Sequence, residues 1–106
     1  MPVTTFDGLP DKSPMAGFTG KFVHTERMTI VRWDIAEAAR LPEHSHPQEQ
    51  ITTVLSGEFE MVIDGTAHRL GPGAVAVIPS NTVHAGRAIT ACLAIDVFQP
   101  VRDDYR

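Results

Sequence analysis

Apolar positions along this 106-residue chain come in short alternating runs and never hold a helical period. Residues 21–24, 28–35, 49–56, 58–63, 68–70, 74–78 and 92–98 are rich in the β-branched and aromatic side chains that suit a pleated surface, so each is predicted to be a strand. The segments between them carry turn chemistry: Ser56-Gly57, Asp64-Gly65, Gly71-Pro72-Gly73 and Pro79-Ser80-Asn81. These recur at about the 8 to 12 residue spacing of an all-β barrel or sandwich. Asp64-Gly65 is the sharpest of them, since it separates the alternation Phe59, Met61, Ile63 from His68 and Leu70 as a two-residue hairpin turn with positive φ requires. Residues 36–39, AEAA, favour helix by propensity, but four residues cannot nucleate one, and a tight turn is expected. Before residue 18 the chain holds Pro2, Pro10, Pro14, Gly8 and Gly17 with little periodicity. Residues 1–17 therefore read as an extended arm that needs a partner surface to become ordered, and residues 18–106 as a single domain.

Alternation also assigns faces. His44 and His46 are two apart, so in extended backbone both imidazoles project from one face, about 6.5 to 7 Å apart at Cα, and can share a metal. The same parity brings Gln48, Gln50, Thr52 and Val54 to that face and sends Glu49, Ile51, Thr53 and Leu55 to the other. Gln50 is thereby favoured over Glu49 as a further ligand. Pro47 cannot donate to a ladder, and a bulge there would reset the parity and reverse the choice. Near the end of the chain, Cys92, Ala94, Asp96 and Phe98 alternate with Leu93, Ile95 and Val97. Asp96 then faces the interior, where a carboxylate is costly unless a metal, a cation or a substrate hydroxyl meets it. His24 and His68 stand outside these patterns and read as structural or exposed; Trp33 and Phe59 read as core, and Cys92 as an inert thiol.

Composition narrows the class. With 42% hydrophobic and 21% charged residues the chain has the makings of one ordinary core. Nine Lys and Arg against 13 Asp and Glu give a net charge of −4 with no basic run, which argues against nucleic acid as a partner. The longest apolar stretch, residues 74–78, falls far short of the ~20 residues that span a bilayer, so no membrane segment is expected. A single cysteine allows no internal disulfide, and the first residues lack the basic and apolar regions of a signal peptide; a cytoplasmic setting is expected.

Two motifs carry a resemblance. His44-Ser-His46, then three residues, Gln50, six residues and Gly57, resembles the first motif of the cupin family; Gly73, five residues, Pro79-Ser80-Asn81, two residues and His84 resemble the second. The second departs by Asn81 where Gly is usual, a mild change because Asn tolerates positive φ best among non-glycine residues. Ala88 stands where an Asn often follows the motif histidine. The resemblance implies a small double-sheet β-barrel of the jelly-roll type, with His44, His46, Gln50 and His84 holding one divalent metal, Mn, Fe, Ni, Zn or Cu. A narrower resemblance runs through HPQEQITTVLSGEFEMVIDG, IPSNTVHAGRA and the tail AIDVFQPVRDDY, which look like the small cupins related to the pectin-degradation protein KdgF. In that group an Asp, a Phe and an Arg near the C-terminus face the substrate; position by position these are Asp96, Phe98 and Arg102.

What the resemblance implies is a metal-dependent lyase or isomerase that converts unsaturated uronates, small anionic substrates, towards open-chain ketouronates. Asp96 would move the proton, Arg102 would clamp the carboxylate, and Phe98 would pack on the ring. A surface ion pair with Asp103 or Asp104 is the competing fate of Arg102. A quercetinase-like dioxygenase is the alternative enzyme class, since three imidazoles with open positions also suit O₂ chemistry. A non-catalytic cupin that binds a small molecule is the third reading, favoured if Asp96 sits in a structural ion pair. The arm and an open sheet edge also predict a homodimer.

Overall fold

A computed structural model of the protein describes residues 2–106. Ten strands form two antiparallel sheets: β1 (Lys12–Met15), β2 (Phe18–His24), β3 (Thr29–Ile35), β4 (Arg40–His44), β5 (Glu49–Ser56), β6 (Phe59–Ile63), β7 (Thr66–Leu70), β8 (Val75–Ile78), β9 (His84–Ala88) and β10 (Cys92–Gln99). The six-stranded sheet has the order β1-β2-β3-β10-β5-β8 and the four-stranded sheet β4-β9-β6-β7. From β3 onward the chain passes repeatedly from one sheet to the other, the double-sheet cupin-like architecture expected from the motifs. The sheets face each other without closing into a continuous hydrogen-bonded barrel.

Turn chemistry sets the register. Ile63 pairs with Thr66 across Asp64 and Gly65, both at positive φ (48° and 81°), which is the tight hairpin read from the sequence. Residues 36–39 close a turn through the Ala39 N–H to the Ala36 carbonyl, with Ala38 at φ 68°. Asn81 takes φ 61°, supplying the left-handed backbone that glycine would otherwise provide. Gly57 is required sterically: a Cβ there would lie 2.1 Å from the Ala91 carbonyl oxygen. Three strands lie outside the predicted runs, namely β1, β4 and β9. Lys12–Met15, in the proline-punctuated arm, pairs with β2 of the same chain across the Gly17 turn.

The core lies between the sheets. Phe18, Val31, Trp33, Ile35, Val54, Phe59, Met61, Ile78 and Ala94 are buried, and the Trp33 ring meets Phe18 and Phe22 edge to face at 5.7 and 5.4 Å. Full burial of one large apolar side chain contributes roughly 1.5–3 kcal/mol. Trp33 and Phe59 are core residues, and Cys92 is buried with its thiol pushed above the usual range by that burial. His68 lies on the exposed strand β7; His24 stacks on Phe22 and bonds Thr29 Oγ1 through Nδ1 at 2.8 Å.

Candidate metal centre and the cavity around it

Crossings between the sheets bring the histidines together. His44 ends β4 and is the register partner of His84, which begins β9. His46 lies in the crossing from β4 to β5, tied down by its carbonyl accepting from the Asn81 N–H at 2.8 Å. One nitrogen from each of the three imidazoles falls within a group whose members lie no more than 4.8 Å apart. Gln50 joins them from β5, its Oε1 3.1 Å from His46 Nε2. The parity read from the sequence persists through Pro47: Gln50, Thr52 and Val54 are buried while Glu49, Ile51 and Leu55 are exposed.

Hydrogen bonding fixes the tautomers. His44 Nδ1 lies 2.8 Å from the Pro42 carbonyl, His46 Nδ1 2.9 Å from the Gln48 carbonyl, and His84 Nδ1 2.8 Å from the Thr82 carbonyl. A carbonyl only accepts, so each Nδ1 carries the proton and each Nε2 keeps its lone pair. Burial holds His84 down to about 4 and His46 below its ordinary value, which keeps those two rings neutral, with Arg102 assisting at both. Two consequences bear on a cation. His84 Nε2 is buried with no hydrogen-bond partner among the described residues. His46 Nε2 and Gln50 Oε1, both electron-pair donors, face each other with no proton between them. A buried acceptor without a donor is expensive, and three imidazole nitrogens with one amide oxygen suit a divalent first-row metal. The residues therefore fit the metal that the two motifs imply.

Asp96 stands deeper, on β10. Its Oδ1 accepts from Thr52 Oγ1 at 2.5 Å and its Oδ2 from the Trp33 indole N–H at 2.9 Å. Burial pushes its pKa above the ordinary carboxylate value despite those two bonds. Among the described residues it makes no ion pair. Arg102, past the end of β10, is buried, with its guanidinium 4.7 Å from the Phe98 ring centre and 4.2 Å from that of Tyr105. Its Nε and Nη2 donate to the two Asp104 oxygens at 3.0 and 2.8 Å, so the ion pair anticipated for it exists, but with a buried arginine. Burial opposes the Arg102 charge, yet the Asp104 carboxylate outweighs it and raises the pKa; the same contact holds Asp104 below the ordinary range. Phe98 is almost wholly buried, with Arg102 over its ring and the His46 ring crossing it steeply at a centroid distance of 5.7 Å.

An inner cavity of about 30 Å³ is lined by Trp33, His44, Gln50, Asp96, Phe98 and Arg102 among others. It adjoins an outer cleft of about 430 Å³ bordered by Pro14, Met15, Leu41, Pro42, His44, Arg102, Asp104 and Tyr105. All seven residues singled out in the sequence thus belong to one region. Another cleft of about 390 Å³, at the far end of β10 beside Thr19, Asp34 and Cys92, gathers no comparable set of ligands. Sequence reasoning assigned no role to Thr52, Tyr105 or Asp104 as parts of the site. The parity placed Thr52 on the inner face, which was the available signal; nothing marked Tyr105.

The family model described as "Cupin domain" matches residues 31–98. Among solved structures, KdgF from Halomonas sp. is 32% identical, with a TM-score of 0.88 over 94% of this chain and 95% of that one. An RmlC-like cupin from Shewanella frigidimarina is 21% identical, with a TM-score of 0.94 over 100% of this chain and 96% of that one, a likeness of fold. The dimethylsulfoniopropionate lyase DddQ of Ruegeria pomeroyi is 45% identical over 47 residues, 43% of this chain. That match spans 23% of the lyase's length.

Proposed function

The chain belongs to the cupin family, and from that premise we propose that it is a metal-dependent enzyme acting on a small carboxylated sugar derivative, opening unsaturated uronates towards open-chain ketouronates. The observation that carries this reading is the meeting of three imidazoles and one amide oxygen beside a cavity lined by His44, Gln50, Asp96 and Arg102. The similarity to KdgF over nearly the whole chain supports it.

His44, His46, His84 and Gln50 would hold the cation. Because none of the four carries a negative charge, the bound ion keeps its full charge towards an anionic, oxygen-rich substrate, and it would supply Lewis-acid polarisation of a substrate oxygen. Asp96, oriented by Thr52 and Trp33, exchanges a proton with the substrate, and its raised pKa brings it closer to the working pH. Arg102 has five N–H donors, of which Asp104 takes two, leaving three for the substrate carboxylate. Phe98 and Tyr105 hold the guanidinium flat at the cavity wall.

Metal analysis of the purified protein, followed by turnover of lyase-generated unsaturated uronates in air and under nitrogen, tests this. One divalent metal per chain and equal rates in both atmospheres are expected. Activity that stops without O₂ overturns ring opening in favour of a dioxygenase, and binding without turnover favours a non-catalytic cupin. A homodimer is also proposed, a second copy seated on the exposed aliphatic face of β5 and β8, where Ile51, Leu55, Val75 and Val77 lie. Among the described residues no helix is long and apolar enough to cross a membrane. A cytoplasmic location remains a proposal.

A further inference from the structure

A glutamine is an ambiguous ligand. Its carboxamide is nearly symmetric in shape, with an oxygen that binds cations at one corner and an NH₂ that repels them at the other, so something must decide which corner faces the histidines. Gln50 has three side-chain torsions and no steric reason to choose. Its hydrogen bond to one hydroxyl decides, with the Asp96 carboxylate on the same side of the amide. Thr52 lies two residues on, on the same face of β5, and is the register partner of Asp96 on β10. Its Oγ1 is 2.5 Å from Asp96 Oδ1 and 2.8 Å from Gln50 Nε2. A hydroxyl has a single proton. Both Asp96 oxygens are acceptors here, one of them already engaged by the Trp33 N–H, so the Thr52 proton goes to Asp96. The Thr52 lone pair then accepts from the Gln50 NH₂, and Gln50 Oε1 is left pointing at His46 Nε2.

The alternative orientation would damage the site. With the amide turned over, its NH₂ would donate to the His46 Nε2 lone pair, satisfying that nitrogen and capping the ligand set with a donor. In metal-free protein this turned amide removes the acceptor-to-acceptor contact and would be preferred if nothing opposed it. Thr52 opposes it, and its β-branched side chain is stiff at χ1, so the hydroxyl stays where β5 places it.

We propose that Thr52 is a positioning residue for metal binding, holding the Gln50 carboxamide oxygen-first by a hydrogen-bond chain anchored on Asp96; this rests on the metal reading above. Outer partners of metal ligands typically account for 10–100-fold in affinity. The test is titration of metal-free protein with Co(II), reading affinity by chelator competition and ligand field by visible absorption. Thr52→Val, which keeps the shape and loses the hydroxyl, should bind cobalt about 10–100-fold more weakly with an altered spectrum, and Thr52→Ser should restore both. In a Gln50→Ala background the Thr52→Val change should cost no further affinity, because the group it orients is gone. Equal loss in that background makes Thr52 a structural residue and overturns the inference. So does cobalt binding by Thr52→Val that matches the parent in affinity and spectrum. If Thr52→Val does not fold, Thr52→Ala is read by the same titration. Parent protein that takes up no cobalt overturns the metal reading itself, and this inference with it, whereas parent binding with an indifferent Thr52 overturns the inference alone.

Discussion

The two faces of β5 carry reversed polarity. The inward face presents Gln50 and Thr52 before reaching Val54, and the outward face presents Ile51 and Leu55, 45% and 46% exposed. On β3, across the central strand β10, the order is the ordinary one, with Val31, Trp33 and Ile35 buried and Asp34 exposed. Stability alone would not write β5 this way, because buried polar groups cost free energy unless each finds a partner. Four of them do: the Gln50 NH₂, the Thr52 hydroxyl, the Asp96 carboxyl and the Trp33 indole form one continuous chain of hydrogen bonds, while His84 Nε2 and the facing His46 Nε2 and Gln50 Oε1 are the acceptors a cation would satisfy. The space between the sheets is therefore divided along its length. One part is core, and the part towards the crossings is a polar site whose cost is met partly by its own network and otherwise left to the cation its unpaired acceptors would hold.

The largest effect expected from breaking that contrast is at Asp96. A positioned carboxylate in proton transfer typically contributes 10²–10⁴-fold, so Asp96→Asn should lower uronate turnover by that order, as measured by steady-state kinetics. Metal content should be unchanged. Normal turnover by this variant would remove Asp96 from the proposed chemistry. Adjacent residues on opposite faces give a sharper contrast. Gln50→Glu places a negative charge among the ligands and should keep the metal while weakening binding of an anionic substrate, seen as a raised KM. Glu49→Gln, one residue away and facing outward, should alter neither. Metal loss in Glu49→Gln would mean that the inward and outward assignments are reversed at this end of β5.

Much of this was legible because strand alternation is a strict period. Gln50 inward and Ile51 outward follow from parity alone, and Asp64-Gly65 and Asn81 announce their own backbone. Other features had no local signal. The edge strands β1 and β4 contain Pro14 and Pro42, which the ladder tolerates at a sheet edge but which no propensity argument assigns to a strand. Strand β9 reads His-Ala-Gly-Arg-Ala; its glycine is explained only when the Phe59 ring is in place, since a Cβ on Gly86 would lie 2.5 Å from it. The role argued for Thr52 depends on a carboxylate 44 positions away. Arg102 presented the same difficulty: the sequence offered an ion pair or a substrate clamp as rivals, and the folded chain gives it the Asp104 pair while leaving donors free.

Acid distinguishes the inward face by a smaller, graded effect. His84 is neutral in the folded protein down to about 4 because it is buried, whereas the unfolded chain protonates it near 6.5. Between those values the unfolded state binds the extra proton, so this histidine's contribution is complete above about pH 6.5 and is lost as the pH falls towards 4. Asp96, shifted upward, acts in the opposite sense, its folded form taking the proton first as the pH falls. Calorimetry of chelator-treated His84→Gln and parent proteins isolates the first effect: the gap between their Tm values should change between pH 7 and pH 4. A constant gap would show that His84 carries no such linkage.

The outward face should give the smallest effect on the site and a separate effect on assembly. Val77 on β8 is 65% exposed and pairs in register with Ile51 on β5, so the two contribute to one aliphatic strip on the outer surface of the six-stranded sheet. A lysine at Val77 keeps the backbone ladder, and its long stem covers part of the same surface while its ammonium stays in water. Surface substitutions of this kind usually change folding stability by no more than about 0.5 kcal/mol. Val77→Lys should therefore leave metal content, turnover and Tm close to those of the parent. If a second copy seats on this strip, two lysines brought together across a two-fold interface repel and lose their water, and the variant should sediment as a monomer at concentrations where the parent is a dimer. A parent that sediments as a monomer throughout removes the proposed dimer. A variant that stays dimeric moves the interface elsewhere. Loss of metal on Val77→Lys would break the comparison itself, since it would mean that the two faces of this sheet are not independent.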